Sequence, residues 1–264
     1  MNNESKDPLA VASLYALAID GSCRDAQLER LLAGAPVERR ERAARFRRED
    51  DKKRCVLSEA LVRYLAVTQA GADPAEVRYA YGDKGKPRFK DMPGWQFNAS
   101  HSGRWVFAGW GRQRIGVDVE QMGNASAPLA KRAFHPAEAR FFEASGDPAV
   151  FYRLWTLKES YIKYLGLGLS MPLGAFYFTL DGANASLNLE SAGLSALEGS
   201  GLLALEGISL SSLEGSGEPP ARAAAPYFFE PFIDEKHRAA VCTDAASVSD
   251  VNAVTVDDLC AALS

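Results

Sequence analysis

The chain has 264 residues, 47% apolar and 24% charged, with four cysteines and a net charge of −4. That is ordinary globular composition, with room for one large domain or two small ones. No apolar run is long enough to cross a membrane, because the longest uncharged stretch, Tyr164–Leu180, is broken by Gly166, Gly168, Ser170, Pro172 and Gly174. The N-terminus, MNNESKDPLA, is polar and acidic, unlike a secretory signal. Cys23, Cys55, Cys242 and Cys260 form no C-x-x-C pair and have no histidine at zinc spacing, which reads as free thiols in a reducing cytosol without zinc.

In chain order, Val11–Ala18 reads as a strand and Arg24–Ala33 as a short helix. After Pro36 a helix carries Arg39–Arg54, RRERAARFRREDDKKR, with nine basic and four acidic residues, so the rest of the chain sums to −9. A run of this kind is either a solvated face laced with i,i+4 pairs or a surface for a polyanion. The acidic remainder, and the lack of a helix-turn-helix, zinc-finger or RNP-like signature, argue against nucleic acid. Val56–Ala70 repeats apolar residues at helical spacing and stops at Gly71. Val77–Tyr81 reads as a strand, GDKGKP (82–87) as a turn, and Trp105–Trp110 with Ile115–Glu120 as a hairpin around Gly111–Arg114. Helices are expected at Pro136–Ala144 and Phe151–Leu165, and strands at Phe176–Leu180, Tyr227–Phe232 and Ala239–Thr243. Helices mixed with mostly antiparallel strands make an α+β fold. Leu194–Gly217 repeats with period eight (LSALEGSG, LLALEGIS, LSSLEGSG), too few copies for a solenoid, and reads as a Gly/Ser-rich insertion.

Three places carry candidate chemistry. In IGVDVE (115–120), alternation sends Ile115, Val117 and Val119 to one face and Gly116, Asp118 and Glu120 to the other. The two carboxylates leave the strand roughly 6.6 Å apart. They are either a solvated edge or an oxygen-only pair suited to Mg²⁺ and a phosphate. In FYRLWTLKESYIKYLGLGLS (151–170), Glu159 and Lys163 are helical i,i+4 neighbours. That pair is either a surface ion pair or a third metal ligand or base beside a phosphate-binding lysine. In NASHSG (98–103), His101 stands between serines in an expected loop, either structural or a donor to a phosphate.

The order GKP (85–87), FN-x-SHSG (97–103), G-V-D-V-E (116–120) and W-x-x-KES-x-x-K (155–163) resembles the surfactin-type 4′-phosphopantetheinyl transferases, over roughly Pro36 to Pro172. The resemblance implies two similar α+β subdomains in pseudo-twofold arrangement, residues 1–114 holding the adenosine and 3′-phosphate side of coenzyme A. Residues 115–264 then carry the Mg²⁺ site and catalysis, with the insertion at 194–217. It implies a monomeric cytoplasmic enzyme, acting without membrane or nucleic acid, that moves 4′-phosphopantetheine from coenzyme A to a serine of an apo acyl or peptidyl carrier protein. The service would be to nonribosomal peptide or polyketide biosynthesis, with release of 3′,5′-ADP.

The matched positions imply that Asp118, Glu120 and Glu159 hold Mg²⁺ and that Lys158 and Lys163 meet phosphates. Gly85, Lys86 and Pro87, with Asn98, Ser100 and His101, hold the adenosine part, His101 touching phosphate. Arg39 and Arg42 replace lysines against the 3′-phosphate. Cys55 falls where a hydroxyl residue occurs in similar enzymes, and Glu138 matches a secondary acidic position. The carrier serine must lose a proton, to Glu159 directly or through a metal-bound water, while Lys163 assists the transfer. The competing reading is a noncatalytic module that binds coenzyme A or a carrier protein.

Overall fold

The computed structural model describes residues 11–21, 23–168, 171–189 and 226–264. The expected insertion at 194–217 lies outside the described residues.

The first half folds as β1 (Val11–Ala18), α1 (Asp25–Ala33), α2 (Val37–Ala44), α3 (Glu49–Ala70), β2 (Tyr79–Tyr81), β3 (Pro87–Phe89), β4 (Gln96–Ser102) and β5 (Trp105–Gly111). The second continues with β6 (Ile115–Gln121), α4 (Ala127–Ala133), α5 (Pro136–Ser145), α6 (Pro148–Leu165), β7 (Phe176–Asp181), β8 (Asn184–Leu189), β9 (Tyr227–Phe229), β10 (His237–Thr243), β11 (Ser247–Val254) and α7 (Val256–Ala262). One sheet has the order β11-β1-β5-β4, another β6-β10-β9, and β2-β3 and β7-β8 form small ribbons.

The two larger sheets stack, and a helical layer covers each outer face. Leu14, Ala16 and Phe107 of the first sheet meet Ile115, Val117, Val119 and Val241 of the second. Tyr15, Leu17, Val106 and Trp110 point the other way, into a core with Leu57, Leu61 and Leu65 of α3. Ala240 and Cys242 face Leu154, Leu157 and Tyr161 of α6. Strands with both faces buried need apolar residues at nearly every position, which is why VASLYALA and WVFAGW do not alternate. Two glycines permit the close approach. A Cβ on Gly109 would lie 2.4 Å from Ile115 Cδ1, and one on Gly116 2.2 Å from the Ser160 carbonyl oxygen.

Several expectations are corrected. The hairpin between Trp105–Trp110 and Ile115–Glu120 does not form. Both edges of β5 are already paired, with β1 and β4, so β6 crosses to the other sheet and pairs with β10. His101 lies within strand β4, not in a loop. The basic run is split between α2 and α3. Glu49, Asp50 and Asp51 restart the helix, three acids suiting its electropositive N-terminus. Finally, β11 pairs in parallel with β1, and α7 supplies Val256 and Leu259 to the α3 core. Residues 247–262 therefore complete the first layer, and the expected division of the chain at 114/115 fails for them.

Candidate active site

A cleft of about 660 Å³ opens between α2, α3 and β4 on one side and β6 and α6 on the other. It is lined by Arg39, Arg42, Gly85, Lys86, Pro87, Asn98, Ser100, His101, Asp118, Glu120, Glu159 and Lys163, which brings together all but one of the site residues read from the sequence.

Strand β4 builds one wall through period-two geometry. Asn98 Oδ1 accepts the Val117 N–H at 2.9 Å, and Ser102 Oγ accepts the Gln121 N–H at 3.1 Å. These side chains satisfy the edge of β6 that no strand covers. Between them, Ser100 Oγ donates to Asp118 Oδ1 at 2.7 Å, and Ser102 Oγ donates to Glu120 Oε2 at 2.6 Å. The carboxylates therefore do not face open solvent, and Asp118 is only 2% exposed. Ser102 was not singled out in the sequence, although its spacing from Asn98 and Ser100 marks it.

Helix α6 closes the other side. Lys163 Nζ donates to Asp118 Oδ1 at 2.6 Å and to Ser100 Oγ at 2.9 Å. Burial pushes the Glu120 carboxyl up to about 6, with the Asp118 charge adding to the rise. Glu159 is raised by the same two causes, burial first, while Lys163 opposes the rise. Burial pulls His101 below its usual range, and the cations Lys163, Arg54 and Arg42 reinforce that, so the ring stays neutral near pH 7.

The loop at 82–87 turns through Gly85, whose φ of +82° is in the left-handed region. Lys86 then reaches inward, its ammonium donating to the carbonyls of Ile115 and Tyr164 at 3.1 and 3.0 Å. Burial holds it down to about 8.

Lys158 is the exception. Its ammonium is completely buried, donating to both Glu138 oxygens at 2.9 and 2.7 Å and to the Phe176 carbonyl at 2.6 Å. Burial lowers it to about 8, against the pull of Glu138. Glu138 in turn accepts the Phe178 and His135 N–H groups. The phosphate contact read for Lys158 is therefore corrected: five residues from Lys163 at about 100° per residue, it points roughly 140° away. Glu138 finds its place as the lysine's partner.

Among the described residues no three His, Cys, Asp or Glu side chains are already gathered as a metal centre. The donor chemistry nonetheless fits a hard divalent cation. Asp118 Oδ2 is a buried oxygen with no hydrogen-bond partner, and Glu120 is raised by burial and then by its acidic neighbours Asp118 and Glu159.

A family model described as 4′-phosphopantetheinyl transferase, N-terminal, matches residues 22–109, and one described as the 4′-phosphopantetheinyl transferase superfamily matches residues 114–200. A 4′-phosphopantetheinyl transferase of Bacillus subtilis is 34% identical over 67% of this chain and 80% of that protein. The chain belongs to the 4′-phosphopantetheinyl transferase family. Sfp, the 4′-phosphopantetheinyl transferase of Bacillus subtilis strain 168, is 36% identical over 62% of this chain and 74% of its own length. A phosphopantetheinyl transferase of Thraustochytrium is 32% identical over 70% and 72%. Both transferase models include the segments that build the cleft, the N-terminal one running from α1 to β5 and the superfamily one from β6 through β8.

Proposed function

We propose that this enzyme transfers 4′-phosphopantetheine from coenzyme A to a serine hydroxyl of an apo acyl or peptidyl carrier protein, with the residues of the cleft in the following roles. The observation that carries the assignment is that one cleft gathers Arg39 and Arg42 with the carboxylates Asp118, Glu120 and Glu159 and with Lys163. That charge set suits a donor with a phosphate on its nucleoside and a metal-bound diphosphate. Arg39 and Arg42 take the 3′-phosphate, and the segment Gly85 to Pro87 with Asn98, Ser100 and His101 holds the adenosine part, His101 meeting phosphate as a neutral donor.

Asp118, Glu120 and Glu159 would hold Mg²⁺, which when bound offsets the negative charge of the diphosphate. The serine oxygen forms a bond to the β-phosphorus as that phosphorus loses its bond to the bridging oxygen, and 3′,5′-ADP departs. The serine proton passes to Glu159, directly or through a water. A carboxylate raised by burial is a better base near neutral pH than one in the usual carboxylate range. Lys163, held by Asp118 and Ser100, stabilises charge on the transferring group.

The four cysteines, none in a disulfide, suit a reducing compartment such as the cytoplasm. No helix among the described residues is long and apolar enough to cross a membrane. The test is incubation with coenzyme A, Mg²⁺ and a panel of apo carrier proteins, read by mass. The expected result is one phosphopantetheine added per carrier. No gain on any carrier, with coenzyme A still bound, would make the chain a noncatalytic binding module.

A further inference from the structure

Glu59 of α3 has no part in the roles above, yet it lines the same cleft and is only 8% exposed. Its neighbours Leu57, Ala60 and Leu61 are core, and the buried Arg63, one turn further along α3, adds a second cation that attracts it beside Arg39. Burying a carboxylate is costly unless it is paired. Here Tyr79 donates its hydroxyl to Glu59 Oε1 at 2.9 Å, and Arg39 Nε lies 3.1 Å from Oε2. The Arg39 contact is out of line for a hydrogen bond, so its attraction is ionic. The same guanidinium stacks over two rings of β2, 4.5 Å from the centre of Tyr79 and 5.6 Å from that of Tyr81. Arg39 is thus gripped by its Nε side and its flat face, and its terminal Nη groups make no bond among the described residues.

We infer that Glu59, braced by Tyr79, is a positioning residue that presets Arg39 for the 3′-phosphate and so sets the enzyme's preference for coenzyme A over dephospho-coenzyme A. The inference rests on the reading that Arg39 meets that phosphate. An unrestrained arginine must give up substantial rotamer freedom when it binds. Fixing the fork beforehand removes that loss from the binding step. Against it, the Glu59 charge partly neutralises Arg39. If that electrostatic effect dominated, removing the charge would raise phosphate affinity. The two effects have opposite signs, and that decides the experiment.

The readout is the ratio of kcat/KM for coenzyme A to that for dephospho-coenzyme A, in a cycle of wild type, Glu59→Gln, Arg39→Ala and the double variant. Glu59→Gln should lower the ratio about threefold or more, within the coupling range of contacting side chains. In the Arg39→Ala background it should change nothing further. Tyr79→Phe keeps the ring under Arg39 and removes only the hydroxyl, so it should lower the ratio in the same direction. It carries the test if Glu59→Gln does not fold. An unchanged or raised ratio in Glu59→Gln or Tyr79→Phe, or an equal fall without Arg39, overturns the positioning role. An Arg39→Ala enzyme that discriminates like wild type instead refutes the phosphate role of Arg39 itself.

Discussion

Lys163 and Asp118 meet at 2.6 Å across the floor of the cleft, joining helix α6 to strand β6, and Ser100 bonds to both. The lysine neutralises one of three carboxylates and leaves Asp118 Oδ2 without a partner. Asp118→Ala removes that free oxygen and strands the ammonium. Transfer should fall by about two orders of magnitude or more, since a bound metal contributes several kcal/mol to the transition state. EDTA should do the same to the wild type, and added Mg²⁺ should restore it. Transfer that continues in EDTA rules out the metal.

Glu159→Gln keeps the size and one oxygen of the side chain but cannot accept the serine proton. General bases contribute about 10²–10⁴-fold, so kcat should drop by at least the lower figure. A loss of only a fewfold in steady-state assays would leave Glu159 as a bystander on α6.

Arg39 and Arg42 stand one turn apart on α2 and both line the cleft. Hydrogen bonds to charged groups are worth roughly 1.5–3 kcal/mol, or about ten- to a hundredfold in affinity. Arg39→Ala/Arg42→Ala should therefore lose most of the preference for coenzyme A over its dephospho form, measured by competition binding, while Mg²⁺ dependence persists. Unchanged discrimination would hand the basic run another task, such as docking an acidic carrier.

Lys158→Met leaves Glu138 buried without its counter-charge, held only by the Phe178 and His135 N–H groups. Breaking a buried pair from one side typically costs about 3–5 kcal/mol, so denaturant melts should show a large loss of stability. Lys158→Met/Glu138→Gln should recover much of it, with the KM for coenzyme A near that of wild type. A KM raised as strongly as in the Arg39/Arg42 variant would return Lys158 to the binding site.

His101 supplies a pH dependence. Its folded pKa lies below the ordinary 6.5, so as pH falls through 6.5 the unfolded chain takes up this proton first. Acid therefore draws stability away from the ligand-free protein, and stability from this residue is regained as pH rises back above 6.5. His101→Asn should show a shallower loss in melts between neutral and mildly acidic pH. Identical pH profiles would mean the ring titrates normally in the fold.

Local signals carried far in this chain. The eight residues of β1 begin and end where the apolar run VASLYALA does, and α6 follows the apolar spacing of Leu154, Tyr161, Ile162 and Leu165. Twelve of the thirteen candidate site residues lie on one cleft because each sits in a short motif whose spacing suits its strand, turn or helix. Those periods are properties of a few neighbouring residues, so they can be read without knowing what the segment packs against.

Partners distant in sequence decided the rest. Nothing within Ser247–Val254 says that it pairs with β1, more than two hundred positions away, and nothing within Ile115–Glu120 says that β5 has no free edge to offer it. Burial of β6 on both faces depends on a second sheet and on α6 arriving over Gly116. Lys158 and Lys163 look alike in KESYIK, and only the place of Glu138 draws one into the core while Asp118 holds the other in the cleft. Glu59 gave no signal at all, because an acid on a helix acquires a function only when folding brings Arg39 and Tyr79 to it. Motif chemistry and period were therefore set by the sequence itself. Which charges meet, and which are buried, was decided by long-range packing, since the cost of burying a charge is met only by a partner that the tertiary structure supplies.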